Sequence, residues 1–179
     1  MHYVMGDIHN ENRKLETMLK KIAFGENDHV CLLGDLFDRG GESANPAGVY
    51  FTVLGLGEHC TVVRGNHDQW LADYIRYYEA LPERKRDDCW RYVYNSFAML
   101  RRKLTPVDLL QLADFVNGFP LQERLELEGK SYLFARAMTF PPGKWKKREY
   151  YLMGGLDGER FEGGRLACMC LESGERFYV

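Results

Sequence analysis

The apolar positions of this chain form short runs first and helical stripes afterwards. Tyr3-Val4-Met5, His29 to Leu33 and Cys60 to Val63 are short apolar runs bounded by turn residues, which predicts buried strands. Between them Leu15, Met18, Leu19 and Ile22 recur at helical spacing, and Val49, Val53 and Leu56 do the same. Asn10 is expected to cap the first of these helices. Asn45, followed by Pro46 at the first helical position, is expected to start the second. Strand, loop and helix thus repeat three times, the pattern of a parallel sheet with crossover helices.

A helical block follows. Leu71, Tyr74, Ile75 and Tyr78 make one stripe, Trp90, Val93, Tyr94 and Phe97 another, and Leu109, Leu112, Ala113 and Val116 a third. The last is introduced by Thr105 as cap, Pro106 at N1 and Asp108 at N3. These aromatic stripes read as core. From Leu121 the period becomes alternating: Leu125 and Leu127 lead into a turn at Glu128-Gly129-Lys130, then Tyr132-Leu133-Phe134 as a strand. Tyr150 to Met153, Arg165 to Leu171 and Phe177 to Val179 are strand candidates separated by Gly-rich turns, expected to be consecutive strands of a second sheet. No internal repeat or linker interrupts the chain, so 1–179 is expected to be one domain.

Composition narrows the partners. A net charge of −2 gives no electrostatic reason to expect nucleic acid or an anionic membrane. Arg84-Lys85-Arg86 is answered at once by Asp87 and Asp88 and reads as a solvated helix end. No basic segment followed by a long apolar stretch opens the chain, and no apolar run has the length of a membrane span. The five cysteines show no CxxC spacing, and a reducing cytoplasm with free thiols is the expected setting. Cys168 and Cys170 would share one strand face, a weak signal for a soft metal.

The chemistry gathers where the three early strands end. Asp7-Ile8-His9, Gly34-Asp35-Leu36-Phe37-Asp38-Arg39-Gly40 and Gly65-Asn66-His67-Asp68 follow them in turn. Loops at the carboxyl ends of neighbouring parallel strands converge on one sheet edge, where open α/β folds bind ligands. Carboxylate, imidazole and amide oxygen form a hard-to-borderline donor set suited to Mn, Fe, Zn or Mg. Asp35 is central enough to bridge two ions. Asp38 can fix the tautomer of His67, and Arg39 offers a planar fork of donors to phosphate.

These blocks resemble the calcineurin-like metallophosphoesterases, and more closely the PPP group of phosphoprotein phosphatases, marked by D-x-H, G-D-x-x-D-R-G and G-N-H-[ED]. The tail Glu162-Gly163-Gly164-Arg165-Leu166 is similar to the family's closing strands. The resemblance implies an α/β fold of the four-layer αββα sandwich type, with a shortened C-terminal part. It implies a divalent metal, manganese first, on Asp7, His9 and Asp35, with Asp35 and Asn66 beginning a second site. His67 would be the general acid, oriented by Asp38; Arg39, Asn66 and Arg136 would meet the substrate.

The chain departs from the family in its second half. The family supplies two further histidines to the second metal, and no histidine follows His67 here. In Leu133-Phe134-Ala135-Arg136-Ala137, Arg136 stands where the first of them belongs. It is expected either to pair with an acid such as Asp114 or Asp157, or to sit near Asp35 and Asn66 as a substitute cation. The resemblance implies a phosphomonoesterase acting on protein phosphoserine and phosphothreonine. The alternatives are a weakened relative that binds phosphate or a partner, and a dinucleoside polyphosphate hydrolase.

Overall fold

The computed structural model describes residues 1–86, 95–137 and 165–179. Strands β1 (His2–Met5), β2 (His29–Leu32) and β3 (Cys60–Val62) pair in parallel, Tyr3 opposite Val30 and Cys31 opposite Thr61. Helices α1 (Asn12–Lys21) and α2 (Pro46–Leu56) make the two crossovers and pack on each other. β2 lies inside the sheet and is buried from Val30 onward, which is why its sequence is a continuous apolar run. The long α3 (Asn66–Ala80) follows β3, then the short α4 (Glu83–Arg86), α5 (Asn95–Leu100) and α6 (Pro106–Asn117), with α6 against α3. A hairpin of β4 (Glu123–Leu127) and β5 (Lys130–Phe134) forms a separate two-stranded sheet.

The tail corrects one expectation. β6 (Ala167–Cys170) and β7 (Arg176–Tyr178) do not build a second sheet but complete the first, in the order β3-β2-β1-β6-β7. β6 runs antiparallel to β1, with Tyr3 opposite Cys170 and Met5 opposite Cys168. All four side chains are buried on one face, so the apolar face of β6 continues that of β1. Both cysteines belong to the buried core, where burial raises the Cys168 thiol to about 12. The strand expected at Tyr150 to Met153, Asp157, and the stripe residues Trp90, Val93 and Tyr94 lie outside the described residues. Among the described residues no helix is long and apolar enough to cross a membrane.

The helices begin largely where the local chemistry says. Asn45 accepts from Gly48 N at 3.1 Å with Pro46 behind it, and Thr105 and Asp108 form the reciprocal cap of α6. The α6 stripe (Leu109, Leu112, Ala113, Val116) is wholly buried, as are Leu15 and Met18 of α1. Each large apolar side chain so buried contributes about 1.5–3 kcal/mol. Asn10, by contrast, does not cap α1: it takes a left-handed backbone at φ 65, and the helix starts after Glu11. Its side chain is used elsewhere.

The closing strands are tied to the N-terminus by Glu172. Its two carboxylate oxygens accept from His2 N at 2.9 and 3.0 Å, and the His2 ring lies 2.8 Å from Oε1. Partial burial would raise the carboxyl, but the hydrogen bonds from His2 outweigh it and hold the pKa at about 2. A depressed carboxyl stabilises the fold above its unfolded pKa, and that contribution fades as pH falls towards the folded value. Glu172→Gln is therefore expected to cost about 1–2 kcal/mol at neutral pH, and the melting temperatures of the two proteins should converge on acidification.

Candidate active site

The three motif loops are stitched together by backbone hydrogen bonds. Ile8 N and His9 N donate to Asp35 O at 3.2 and 2.9 Å, and Asn10 N donates to Leu36 O at 2.9 Å. The second and third loops touch without side chains between them. Gly34 has φ 82, a left-handed conformation, and a Cβ there would lie 2.7 Å from Gly65 N. A Cβ on Gly65 would overlap the backbone nitrogen and Oδ1 of Asp35. Asp68, fully buried in the first turn of α3, closes the junction: Oδ2 accepts from Asp35 N and Gly65 N, both at 2.9 Å, and Oδ1 from Leu36 N at 2.8 Å. Burial and the neighbouring Asp35 charge raise the Asp68 carboxyl pKa, against three N–H groups that lower it.

This frame brings Asp7, His9 and Asp35 together, with one ligand atom of each within 4.8 Å of the others. His9 is fully buried, and its Nδ1 lies 3.1 Å from Phe37 O. A carbonyl can only accept, so Nδ1 carries a proton, and Nε2 faces Asp7 Oδ2, 3.6 Å away. Two carboxylates and an imidazole fit a hard or borderline divalent cation. Burial alone would lower the His9 pKa, but the hydrogen bonds to Asp7 and Phe37 and the Asp35 charge outweigh it and raise it. Asp35 is held from the opposite side too, where Oδ1 accepts from His67 N at 3.2 Å at the start of α3.

Arg136, on the chain just beyond β5, lies across this triad. Its Nε is 2.8 Å from Asp35 Oδ2, and one terminal nitrogen is 2.8 Å from Asp7 Oδ2 and 2.7 Å from Asp35 Oδ2. It meets Asp35, as the substitute-cation reading expects, and also Asp7. It does not pair with Asp114, which takes Arg76 instead. Burial opposes the guanidinium charge, but the charges of Asp35 and Asp7 prevail and raise its pKa.

The expected acid pair is assembled beside the triad. His67 Nδ1 lies 3.5 Å from Asp38 Oδ2, both side chains are buried, and the His9 and His67 rings meet edge to face at 5.3 Å. Trp70, one turn along α3, packs on the His67 ring at 4.9 Å. Asp38 and Arg39 both take left-handed backbones, at φ 61 and 58, which is costly for arginine. Ser96, which sequence reasoning left out, and Asn10, expected there only as a helix cap, hold them in place. Ser96 Oγ accepts from Asp38 N at 2.7 Å and donates to Asn10 Oδ1 at 2.9 Å, while Asn10 Nδ2 donates to Arg39 O at 3.1 Å. An Asn at a strand-to-loop junction is a readable left-handed signal, but no local pattern marks Ser96, which reaches the site from a distant helix. Asn66 is the buried first residue of α3, adjoining Asp35 through Gly65.

Comparison with known proteins shows a family and a fold. A family model described as calcineurin-like phosphoesterase matches residues 3–153. A symmetrical bis(5'-nucleosyl)-tetraphosphatase from Tolumonas auensis is 40% identical over 67 residues, 37% of this chain and 23% of that one. The match thus spans about a quarter of that relative's length. A solved structure titled as a candidate diadenosine tetraphosphatase superposes with a TM-score of 0.57 at 17% identity, covering 99% of this chain and 92% of its own. A hypothetical protein from Pyrococcus horikoshii OT3 gives 0.59 at 15% identity, covering 100% and 87%. At these identities the two structures speak for the fold alone.

The Asp68 junction gives a direct test. Asp68→Asn turns one acceptor oxygen into a donor facing a backbone N–H and is expected to cost about 3 kcal/mol in chemical denaturation. Gly65→Ala forces its Cβ into Asp35 and is expected to cost about 1–3 kcal/mol by the same measurement. Because a cation at the triad must displace the proton that His9 Nε2 gains when the imidazole is charged, Mn²⁺ affinity by calorimetry should rise from about pH 6 to about pH 8.

Proposed function

Because the chain belongs to the calcineurin-like phosphoesterase family, we propose that it is a divalent-metal-dependent phosphoric ester hydrolase. The observation that carries this reading is the Asp7, His9 and Asp35 triad with the Asp38–His67 pair packed beside it. A divalent ion held by the triad would supply Lewis acidity for phosphoryl oxygens and a more acidic water. In the reaction, water adds at phosphorus and gives up a proton, the opposite P–O bond breaks, and a proton delivered to the leaving oxygen assists its departure. His67 is assigned as that donor, with Asp38 Oδ2 facing its Nδ1 at 3.5 Å. Arg39 and Asn66, in the second and third motif loops, are assigned to the phosphoryl oxygens.

The substrate class follows the curated relatives, which align over about 67–87 residues of this chain. Their name, symmetrical bis(5'-nucleosyl)-tetraphosphatase, favours dinucleoside polyphosphates over phosphoserine and phosphothreonine proteins. A second reading, a phosphate-binding relative with weak turnover, rests on Arg136, whose guanidinium already pairs with both of the triad's carboxylates.

Diadenosine tetraphosphate, a phosphoserine peptide and an aryl phosphate, each assayed with Mn²⁺, separate the three. Dinucleotide hydrolysis is expected to dominate, and His67→Asn should slow it by about 100-fold. An unchanged rate in that variant would remove His67 as the acid. Phosphate binding without hydrolysis of any of the three would establish the second reading.

A further inference from the structure

We propose that Arg136 is a tethered cation occupying the divalent-ion site from within, so that an ion enters only as the guanidinium leaves Asp7 and Asp35. The proposal rests on the reading of Asp7, His9 and Asp35 as a metal site. It is carried by which oxygens the guanidinium takes. Both contacts are to Oδ2 atoms, and Asp7 Oδ2 is also the atom faced by His9 Nε2. Arg136 therefore uses the lone pairs that point into the triad, where a ligated ion would need them. A divalent ion and a guanidinium sharing those oxygens would be close like charges in a site where the Asp35 side chain is only 1% exposed, and such repulsion is little screened.

The latch has a separate mounting. Asp7 and Asp35 follow strands of the five-stranded sheet, whereas Arg136 follows β5 of the two-stranded hairpin. The guanidinium can withdraw by rotation about its own side-chain bonds, with no hydrogen bond of the main sheet broken. While it is in place, it also does part of the ion's electrostatic work, offsetting the mutual repulsion of two close carboxylates. Once released, its planar fork is available to phosphate oxygens. Ion loading and exposure of a phosphate donor thus become one event.

The measurement is Mn²⁺ binding by calorimetry, without substrate, to the wild type, Arg136→Gln and Asp35→Asn. Arg136→Gln keeps a polar side chain and loses the charge; it is expected to bind Mn²⁺ at least about tenfold more tightly than the wild type, and Asp35→Asn to lose binding. Thermal melts supply a second readout: added Mn²⁺ should raise the melting temperature of Arg136→Gln more than that of the wild type. If Arg136→Gln binds no tighter while wild-type binding still depends on Asp35, the latch is wrong and the metal site stands. If none of the three proteins binds Mn²⁺, the metal reading falls with it.

Discussion

The site depends on a buried carboxylate that never faces a substrate. Asp68 gathers the N–H groups of Asp35, Leu36 and Gly65, and so holds two loops that follow different strands in one register. Local pairing could not do this, because the strands have already ended and these N–H groups have left the ladder. A buried N–H without an acceptor is costly, so the geometry that satisfies all three is strongly preferred. The same geometry demands that Gly34 and Gly65 lack side chains, since the two backbones meet where Cβ atoms would stand.

With that junction closed, the electrostatics follow. Asp7, Asp35, Asp38 and Asp68 converge within one small region, and each is answered differently. Asp68 is answered by backbone N–H groups, Asp38 by His67 and Ser96, and Asp35 by the start of α3 and by Arg136. Asp7 shares the same guanidinium and faces His9. Close carboxylates are stable only when compensated, and a calcineurin-like phosphoesterase does this with divalent metal. In this chain the Arg136 guanidinium also pairs with Asp7 and Asp35.

The strained loop from Asp38 to Gly40 shows how distant parts of the chain serve the centre. Three successive left-handed residues would not persist in an isolated peptide. Ser96 and Asn10 hold them by hydrogen bonds, those of Ser96 buried and that of Asn10 to Arg39 partly so, one residue from beside the first motif loop and one from α5. The cost of the backbone conformation is offset by satisfied polar groups, and the result is a carboxylate set beside His67.

By itself the sequence determined the three parallel strands, their crossover helices, the caps at Asn45 and Thr105, and the three motif loops. Each of these depends on residues close together in the chain, so periodicity and turn chemistry suffice to read them. Asp7, His9, Asp35, Asp38, Asn66 and His67 were legible for the same reason, since each sits at the end of a strand whose neighbours were also legible. Only the tertiary structure decided that β6 joins β1, because an alternating segment carries no mark of the sheet it will extend; the choice lies in matching buried faces across most of the chain's length. It alone decided that Asn10 straps Arg39 and does not cap α1, and that Ser96 supports Asp38. It also decided what Arg136 meets. A cation in an irregular segment has many acids within reach, and the frame held by Asp68 selects Asp7 and Asp35 by placing both carboxylates together at the end of β5.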